Sequence, residues 1–115
     1  MQNPEVLEAL DEAAIRSAVR GAVAASLQIA SEEAKAACPK ETGALAASIG
    51  CRVSESGGEL FASAPYAMPV EMGTAHMPAR PFLYPAFAAH RQRLPGRIAQ
   101  AIKDAVRSGS GGMKR

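Results

Sequence analysis

The chain has 115 residues and a formal net charge of +2, a size that is typical of one domain with one core. Its apolar residues are mostly small, because 25 are Ala and only 21 are Leu, Ile, Val or Phe. This composition predicts a thin core, and the small net charge argues against a disordered chain. We therefore expect a fold that gains part of its stability from neighbouring chains.

The sequence has no stretch long and apolar enough to span a bilayer, since the best candidate, 13–30, is interrupted by Arg16, Arg20 and Gln28. The first residues are polar and acidic, whereas a secretory leader begins with positive charge and an apolar run. We expect a chain that stays in the cytoplasm when it is synthesised.

The cysteines and histidines are few and scattered. Cys38 and Cys51 form no C-x-x-C pair, and we expect both to remain reduced and to act as small core residues. A structural zinc site needs about four ligands, and the only other candidates are His76 and His90. We expect no metal ion and no other cofactor.

Residues 11–37 predict a long N-terminal helix, because they are rich in good helix formers and contain no proline. Ile15, Val19, Val23 and Leu27 recur every four residues and define an apolar face. Such a helix is about 40 Å long, too long for a small sheet to cover. The part of the helix that the sheet leaves uncovered therefore packs against another partner, or it is exposed as an ordinary surface helix.

A hairpin follows the helix. The helix is expected to end at Pro39, because the residue before a proline avoids helical backbone, and Thr42 is expected to cap a short helical turn with its hydroxyl. Over 49–54 apolar and polar residues then alternate with a period of two. A Gly-rich turn occupies 55–58, and the composition of 60–63 again favours extended backbone. This pattern predicts a β-hairpin.

Residues 66–72 predict one or two helical turns, and Pro69 requires either that it lies in the first turn or that the turn is irregular. Gly73 stands where a left-handed C-terminal cap is expected. The next segment, 75–84, contains two prolines, which suit an edge strand or an extended arm because proline cannot donate a ladder hydrogen bond.

The last predicted element is a helix that opens at Pro85, a residue type favoured at the first helical position. We expect Pro95 and Gly96 to kink this helix or break it in two. The composition of 108–115 is that of a linker and predicts a disordered tail. The order of these elements predicts a single α+β domain over 1–107, in which the long helix packs on a small antiparallel sheet made of the hairpin and an edge strand.

Charge is distributed unevenly along the chain, with a balance of −5 over residues 1–74 and +7 over residues 75–115. Three interpretations remain open. The two halves can stack on copies of the chain or on two partners, the basic half can meet nucleic acid, or the cations simply favour the C-terminal end of a solvated helix.

No enzymatic motif is present: the sequence contains no G-x-S-x-G, P-loop, G-x-G-x-x-G or H-E-x-x-H. Glu71 lies five residues before His76, a spacing that we interpret as chance. We expect His90 to be exposed or half-exposed on its helix. The sequence therefore predicts no catalytic residue and no enzyme.

Three segments resemble, in order and spacing, the tail-completion (neck) proteins of lambda-like long-tailed bacteriophages. The resemblance covers about residues 38–90, and its specific part is the Glu-x-Gly-Thr box followed by Ala-Arg-Pro-Phe-Leu. The segments are Pro39-x-x-Thr42-Gly43-Ala44-Leu45-x-x-Ser48-Ile49, Tyr66-Ala67-x-x-Val70-Glu71-x-Gly73-Thr74 and Pro78-Ala79-Arg80-Pro81-Phe82-Leu83-x-Pro85-Ala86.

This resemblance implies a non-enzymatic virion protein that forms a ring, a hexamer, at the head-to-tail joint and is assembled in the host cytoplasm. Its implied partners are copies of itself and neighbouring head-closure, tail-terminator or tail-tube proteins, with DNA only as cargo passing through the channel and no membrane. The residues implied to carry assembly are Thr42, Gly43, Leu45, Tyr66, Glu71, Gly73, Thr74, Arg80, Pro81, Phe82 and Leu83.

The chain departs from the family at a few positions. Met72 stands where the family usually has an aromatic residue, and Tyr84 stands where it often has a basic one. The Ala46-Ala47 pair replaces a pair that is often basic.

Physical roles can be assigned to some of these residues. We expect Gly73 to adopt a positive φ angle and Thr74 to satisfy a nearby backbone group. Arg80 is predicted to pair with Glu71, within or between subunits, and Phe82 and Leu83 are predicted to anchor the arm by burial. Two alternatives to a neck protein stay open: a tail-terminator or minor capsid subunit, and a small nucleic-acid-binding module that uses the basic C-terminal half.

Overall fold

The computed structural model describes residues 12–40 and 43–113 of the chain, with side chains up to residue 107. Within these residues the chain forms four helices and one hairpin, which confirms the predicted α+β class. The elements are α1 (Glu12–Ala37), α2 (Ala44–Ala47), β1 (Ile49–Ser54), β2 (Gly57–Ala62), α3 (Ala67–Met72) and α4 (Leu83–Met113).

The long helix α1 packs chiefly along α4, and we call these two elements the helix pair. They run antiparallel, because Ala34 belongs to the same buried cluster as Ala86, whereas Ser26 contacts Arg97 further along α4. The second partner that the length of α1 requires is therefore the C-terminal helix of the same chain.

The hairpin covers another side of α1. Strands β1 and β2 pair antiparallel in the register Ile49↔Ala62 and Cys51↔Leu60. One face of this small sheet lies on α1, and Gly58 approaches the helix so closely that a side chain there would collide with Leu27. The opposite face carries Phe61, whose ring lies beneath the Arg52 guanidinium at 4.7 Å.

The core lies where α1 ends and α4 begins. Its largest fully buried side chains are Phe82 and Leu27, and Leu45 and Ile49 are also buried. Four of the nine buried apolar residues among those described are alanines, so the core is as thin as the composition predicts. The molecule is elongated, with extents of 63 × 22 × 20 Å and a radius of gyration of 18.9 Å, against about 13 Å for a compact chain of this length.

Two expectations about the second half of the chain differ from the structure. The arm over 75–84 forms no strand; its only ladder-like contact is an isolated bridge between Thr74 and Met77, so the described sheet has two strands. The reason is that Glu71 and the Val70 carbonyl take up backbone N–H groups of the arm that a third strand would need.

The C-terminal helix α4 is not broken at Pro95, so of the expected kink or break only the kink stays a prediction, and α4 begins at Leu83, so that Pro85 lies in its first turn. Leu94, Ile98 and Ile102 are half-buried on this helix. The helix packs along α1, and such tertiary packing stabilises helical backbone. The helix extends to Met113, so the structure is helical over 108–113, where the composition predicts disorder. The last two residues lie outside the described part of the chain.

Candidate functional site

Two of the three segments that carry the resemblance meet in one compact unit, which we call the clasp and define as residues 66–84. At its centre the Glu71 carboxylate accepts hydrogen bonds from the backbone N–H groups of Phe82 (3.1 Å), Leu83 (2.9 Å) and Tyr84 (3.0 Å). These N–H groups belong to the beginning of α4, where backbone donors lack helical partners and the helix dipole favours negative charge. Glu71 is therefore the N-terminal cap of α4, supplied by a different helix.

The structure gives both Glu71 and Arg80 backbone partners that the sequence does not predict. The Glu71 carboxylate bonds backbone N–H groups, and the backbone N–H of Arg80 donates to the Val70 carbonyl at 2.8 Å. The Arg80 side chain is exposed, as is Pro81. A pair between the Glu71 and Arg80 side chains, within or between subunits, stays a prediction.

Gly73 lets the chain turn sharply after α3. Its φ angle is 81°, positive as the sequence predicts, but its ψ angle of 168° lies outside the left-handed helical region that a standard C-terminal cap uses. This combination is accessible essentially to glycine alone. A Cβ atom at this position would also lie 2.7 Å from the backbone nitrogen of Ala79, so the clasp needs glycine here for both conformation and space.

Thr74 closes the turn that follows. Its hydroxyl accepts a hydrogen bond from the backbone N–H of His76 at 3.2 Å, and its backbone exchanges two hydrogen bonds with Met77. The expectation that Thr74 satisfies a nearby backbone group is therefore confirmed.

Burial anchors the arm on the core, as predicted. Phe82 is only 1% exposed, and Leu83 is half-buried against the same cluster. Leu45 is buried in this cluster too, whereas Gly43 is exposed and begins α2 with a φ angle of 78° and no side-chain cap. Thr42, the predicted cap, lies outside the described residues.

Four large side chains of the clasp are exposed, and we call them the patch, defined as Tyr66, Met68, Met72 and Tyr84. Met68 and Met72 are each 69% exposed, Tyr84 is 63% exposed and Tyr66 is 40% exposed. The two methionines are one helical turn apart on α3, Tyr66 directly precedes that helix, and Glu71 bonds the Tyr84 backbone. A shallow cavity of about 300 Å³ beside Tyr84 is lined by Leu60, Glu71, Leu83 and Phe87.

A second open groove of about 580 Å³ lies between the N-terminal half of α1 and the tip of the hairpin. Its apolar lining comes from Ile15, Val19, Val23 and Val53, and Arg20 bridges its rim to Glu55 at 3.4 Å. The apolar face that the sequence predicts on this half of α1 is thus only partly covered within the chain.

A buried polar cluster between the helices of the helix pair has no counterpart in the sequence analysis. The Ser26 hydroxyl lies 2.7 Å from Nδ1 of His90, and Arg97 donates to the same hydroxyl at 3.0 Å. His90 is buried, which corrects the expectation of an exposed or half-exposed ring. Burial, and secondly the charge of Arg97, lower the pKa of His90 below its usual 6.5. No third group completes a catalytic arrangement with Ser26 and His90 among the described residues.

Both cysteines are free thiols, with Cys38 buried in the core as expected and Cys51 half-buried. In the part of the chain that the structure covers, no three His, Cys, Asp or Glu side chains are grouped so that they could hold a metal ion. None of the described helices has the length and apolar character needed to cross a membrane.

The chain was compared with protein-family models, with curated proteins and with solved structures, and none of these comparisons gave a match.

Proposed function

We propose that this chain is a non-enzymatic structural subunit of a phage neck, which completes the tail and joins it to the head by assembling into a ring. The observation that carries the proposal is the clasp. Two of the three segments that resemble neck proteins are folded together there by the Glu71 cap, and together they present a large exposed apolar surface.

The size of the patch supports a contact with another protein. Its four side chains, 40–69% exposed, offer on the order of 500 Å² of surface, comparable to the largest patch on a typical monomer, which is often functional. A standard stable interface buries about 800 Å² on each partner. The patch therefore supplies more than half of one side of such an interface.

The shape of the molecule favours a head-to-tail arrangement. The patch lies at the end of the helix pair where α4 begins, and the open groove lined by Ile15, Val19 and Val23 lies towards the start of α1. Two different surfaces on one elongated subunit suit a heterologous contact, which gives a closed ring when the rotation between subunits closes. In this arrangement the patch of one copy packs into the groove of the next.

The basic half of the chain supports nucleic-acid binding less well. Arg93 bonds Glu33 at 3.1 Å, Arg107 lies 3.5 Å from Asp104, and Arg97 is directed to Ser26. Each of these three cations has a partner within the chain, which reduces the positive charge that α4 offers to phosphate groups.

The experiment is a measurement of molar mass in solution over a range of protein concentrations. We expect a discrete oligomer, six subunits by the resemblance, and we expect Met72→Lys to weaken it by placing a charge inside the contact. Gln92→Lys is the matched control, because it adds the same charge at an exposed position of α4 outside the patch. A chain that stays monomeric and binds DNA with an affinity that falls steeply with salt would contradict the proposal.

A further inference from the structure

The assembly proposed above makes no use of the buried polar cluster formed by Ser26, His90 and Arg97. Ser26 is 1% exposed and His90 is 5% exposed, and both lie inside the contact between α1 and α4. Polar groups are costly to bury unless every donor and acceptor is paired, so a cluster at this position makes the helix contact depend on its hydrogen bonds.

The donors fix the protonation state of the cluster. A guanidinium only donates, so the Ser26 oxygen accepts from Arg97 and its own hydroxyl hydrogen is available to His90. Among the described residues Nδ1 of His90 is the acceptor that this hydrogen can reach, and pairing it there places the ring proton on Nε2 of a neutral imidazole. The cluster is complete only while His90 is uncharged.

Protonation of His90 breaks this pattern in two ways. The new proton on Nδ1 removes the only acceptor that the structure gives to the Ser26 hydroxyl. It also places a second cation beside Arg97 in a buried site, where like charges repel more strongly than in water.

The surrounding groups do not compensate for that charge. On α1 the carboxylate that reaches across to α4 is Glu33, and it is paired with Arg93. On the hairpin Glu59 is paired with Arg52, and Glu71 is bound to the beginning of α4. The Phe87 ring lies 5.7 Å from the imidazole and adds no charge.

We propose that Ser26, His90 and Arg97 form an acid-sensitive latch between α1 and α4, closed while His90 is neutral and opened when His90 gains a proton. The lowered pKa of His90 gives the direction of the effect. Between that lowered value and the ordinary 6.5, the unfolded chain carries the proton and the folded chain does not, so stability is lost as the pH falls through this window. Above about pH 6.5 both states are neutral and the latch contributes fully.

The test compares thermal unfolding of the full chain at about pH 7.5 and about pH 5. His90→Asn places an acceptor oxygen near the position of Nδ1 but cannot titrate. We expect the wild type to lose several degrees more in Tm over this range than His90→Asn does. His76→Asn is the matched control, because His76 is exposed, and it should keep the wild-type pH dependence. Equal losses in the wild type and His90→Asn would overturn the proposal.

A second measurement needs no substitution at position 90. The chain has only two histidines, so their ring signals can be followed separately by NMR in the wild type. We expect His90 to titrate below the 6.5 that is usual for a histidine, and Arg97→Met to move the His90 midpoint upward by removing the adjacent cation. A His90 midpoint at or above about 6.5 would overturn the latch whatever the oligomeric state, whereas a monomeric chain with a low His90 midpoint would contradict only the assembly.

Discussion

The contacts that stabilise the clasp join residues close together in the sequence, whereas those that stabilise the helix pair join residues far apart. In the clasp, Glu71 reaches backbone groups 11–13 residues away, and Thr74 bonds residues two and three positions ahead. In the helix pair, the bond between Ser26 and His90 joins residues 64 apart, and the bond between Glu33 and Arg93 joins residues 60 apart.

This difference has consequences for how each region responds to change. Contacts between residues close in sequence close small loops at little entropic cost. In the clasp these contacts are made to backbone groups. The helix pair depends on side chains that meet across the whole chain, and its contact includes a titratable group. We therefore expect the clasp to be a rigid unit sensitive to shape, and the helix pair to be the region sensitive to pH.

The largest expected effect in the clasp comes from Phe82→Ala. Phe82 is fully buried where the arm meets the core, and removing a buried aromatic ring costs about 3–5 kcal/mol. We expect a loss of this size in the free energy of unfolding, measured by urea denaturation. Tyr84→Ala is the control, since this ring is 63% exposed and its loss should change stability little. Unfolding of Phe82→Ala at the wild-type midpoint would show that the arm is not anchored by this ring.

The next effect is expected at Gly73. Gly73→Ala forces a side chain into a conformation that costs about 1–3 kcal/mol for other residues, and its Cβ would also collide with the Ala79 backbone. Gly43→Ala provides the comparison, because Gly43 has a positive φ angle but open space around it, and Gly21→Ala should be stabilising, because Gly21 lies in the open on α1. If Gly73→Ala unfolds at the same denaturant concentration as Gly43→Ala, close packing at the turn has no role.

Much of the clasp could be predicted from the sequence because its signals are local. The positive φ angle of Gly73, the turn at Thr74 and the first-turn position of Pro69 follow from backbone preferences of single residues. The burial of Phe82 follows from its place in a chain with few large apolar residues. The hairpin was predicted for the same reason, from a period of two interrupted by a Gly-rich turn.

The remaining features depend on which helices and strands contact one another in the fold. A local sequence pattern does not predict these contacts. His90 stands among alanines and an arginine, as an exposed residue would, and it is buried only because α1 packs over it. Charge alone suggests Arg80 as a partner of Glu71, but it does not reveal that backbone N–H groups at the beginning of α4 bond the same carboxylate. Pro95 predicts a kink or a break, and the packing of α4 along α1 favours a helix that is not broken.

A smaller effect is expected when the cap of α4 loses its charge. Glu71→Gln keeps an acceptor oxygen but removes the negative charge at the helix N-terminus, an interaction worth about 0.3–1 kcal/mol at exposed sites and up to about 2 in partly buried ones. Glu71→Ala removes the acceptor as well and should cost more than Glu71→Gln. Glu59→Gln on the exposed hairpin is the matched control. Identical Tm values for the Gln and Ala variants at position 71 would mean that the three backbone bonds contribute nothing.

The smallest effect is expected from the ion pair between Glu33 and Arg93 in the helix pair. The two side chains are 41% and 46% exposed, and exposed pairs contribute about 0.2–1 kcal/mol because water and salt screen them. A double-mutant cycle with Glu33→Gln and Arg93→Gln, measured by urea denaturation at low and high salt, should give a coupling in this range that shrinks with salt. A coupling well above this range that persists at high salt would place the charged pair, rather than the buried cluster one turn away, at the centre of the helix contact.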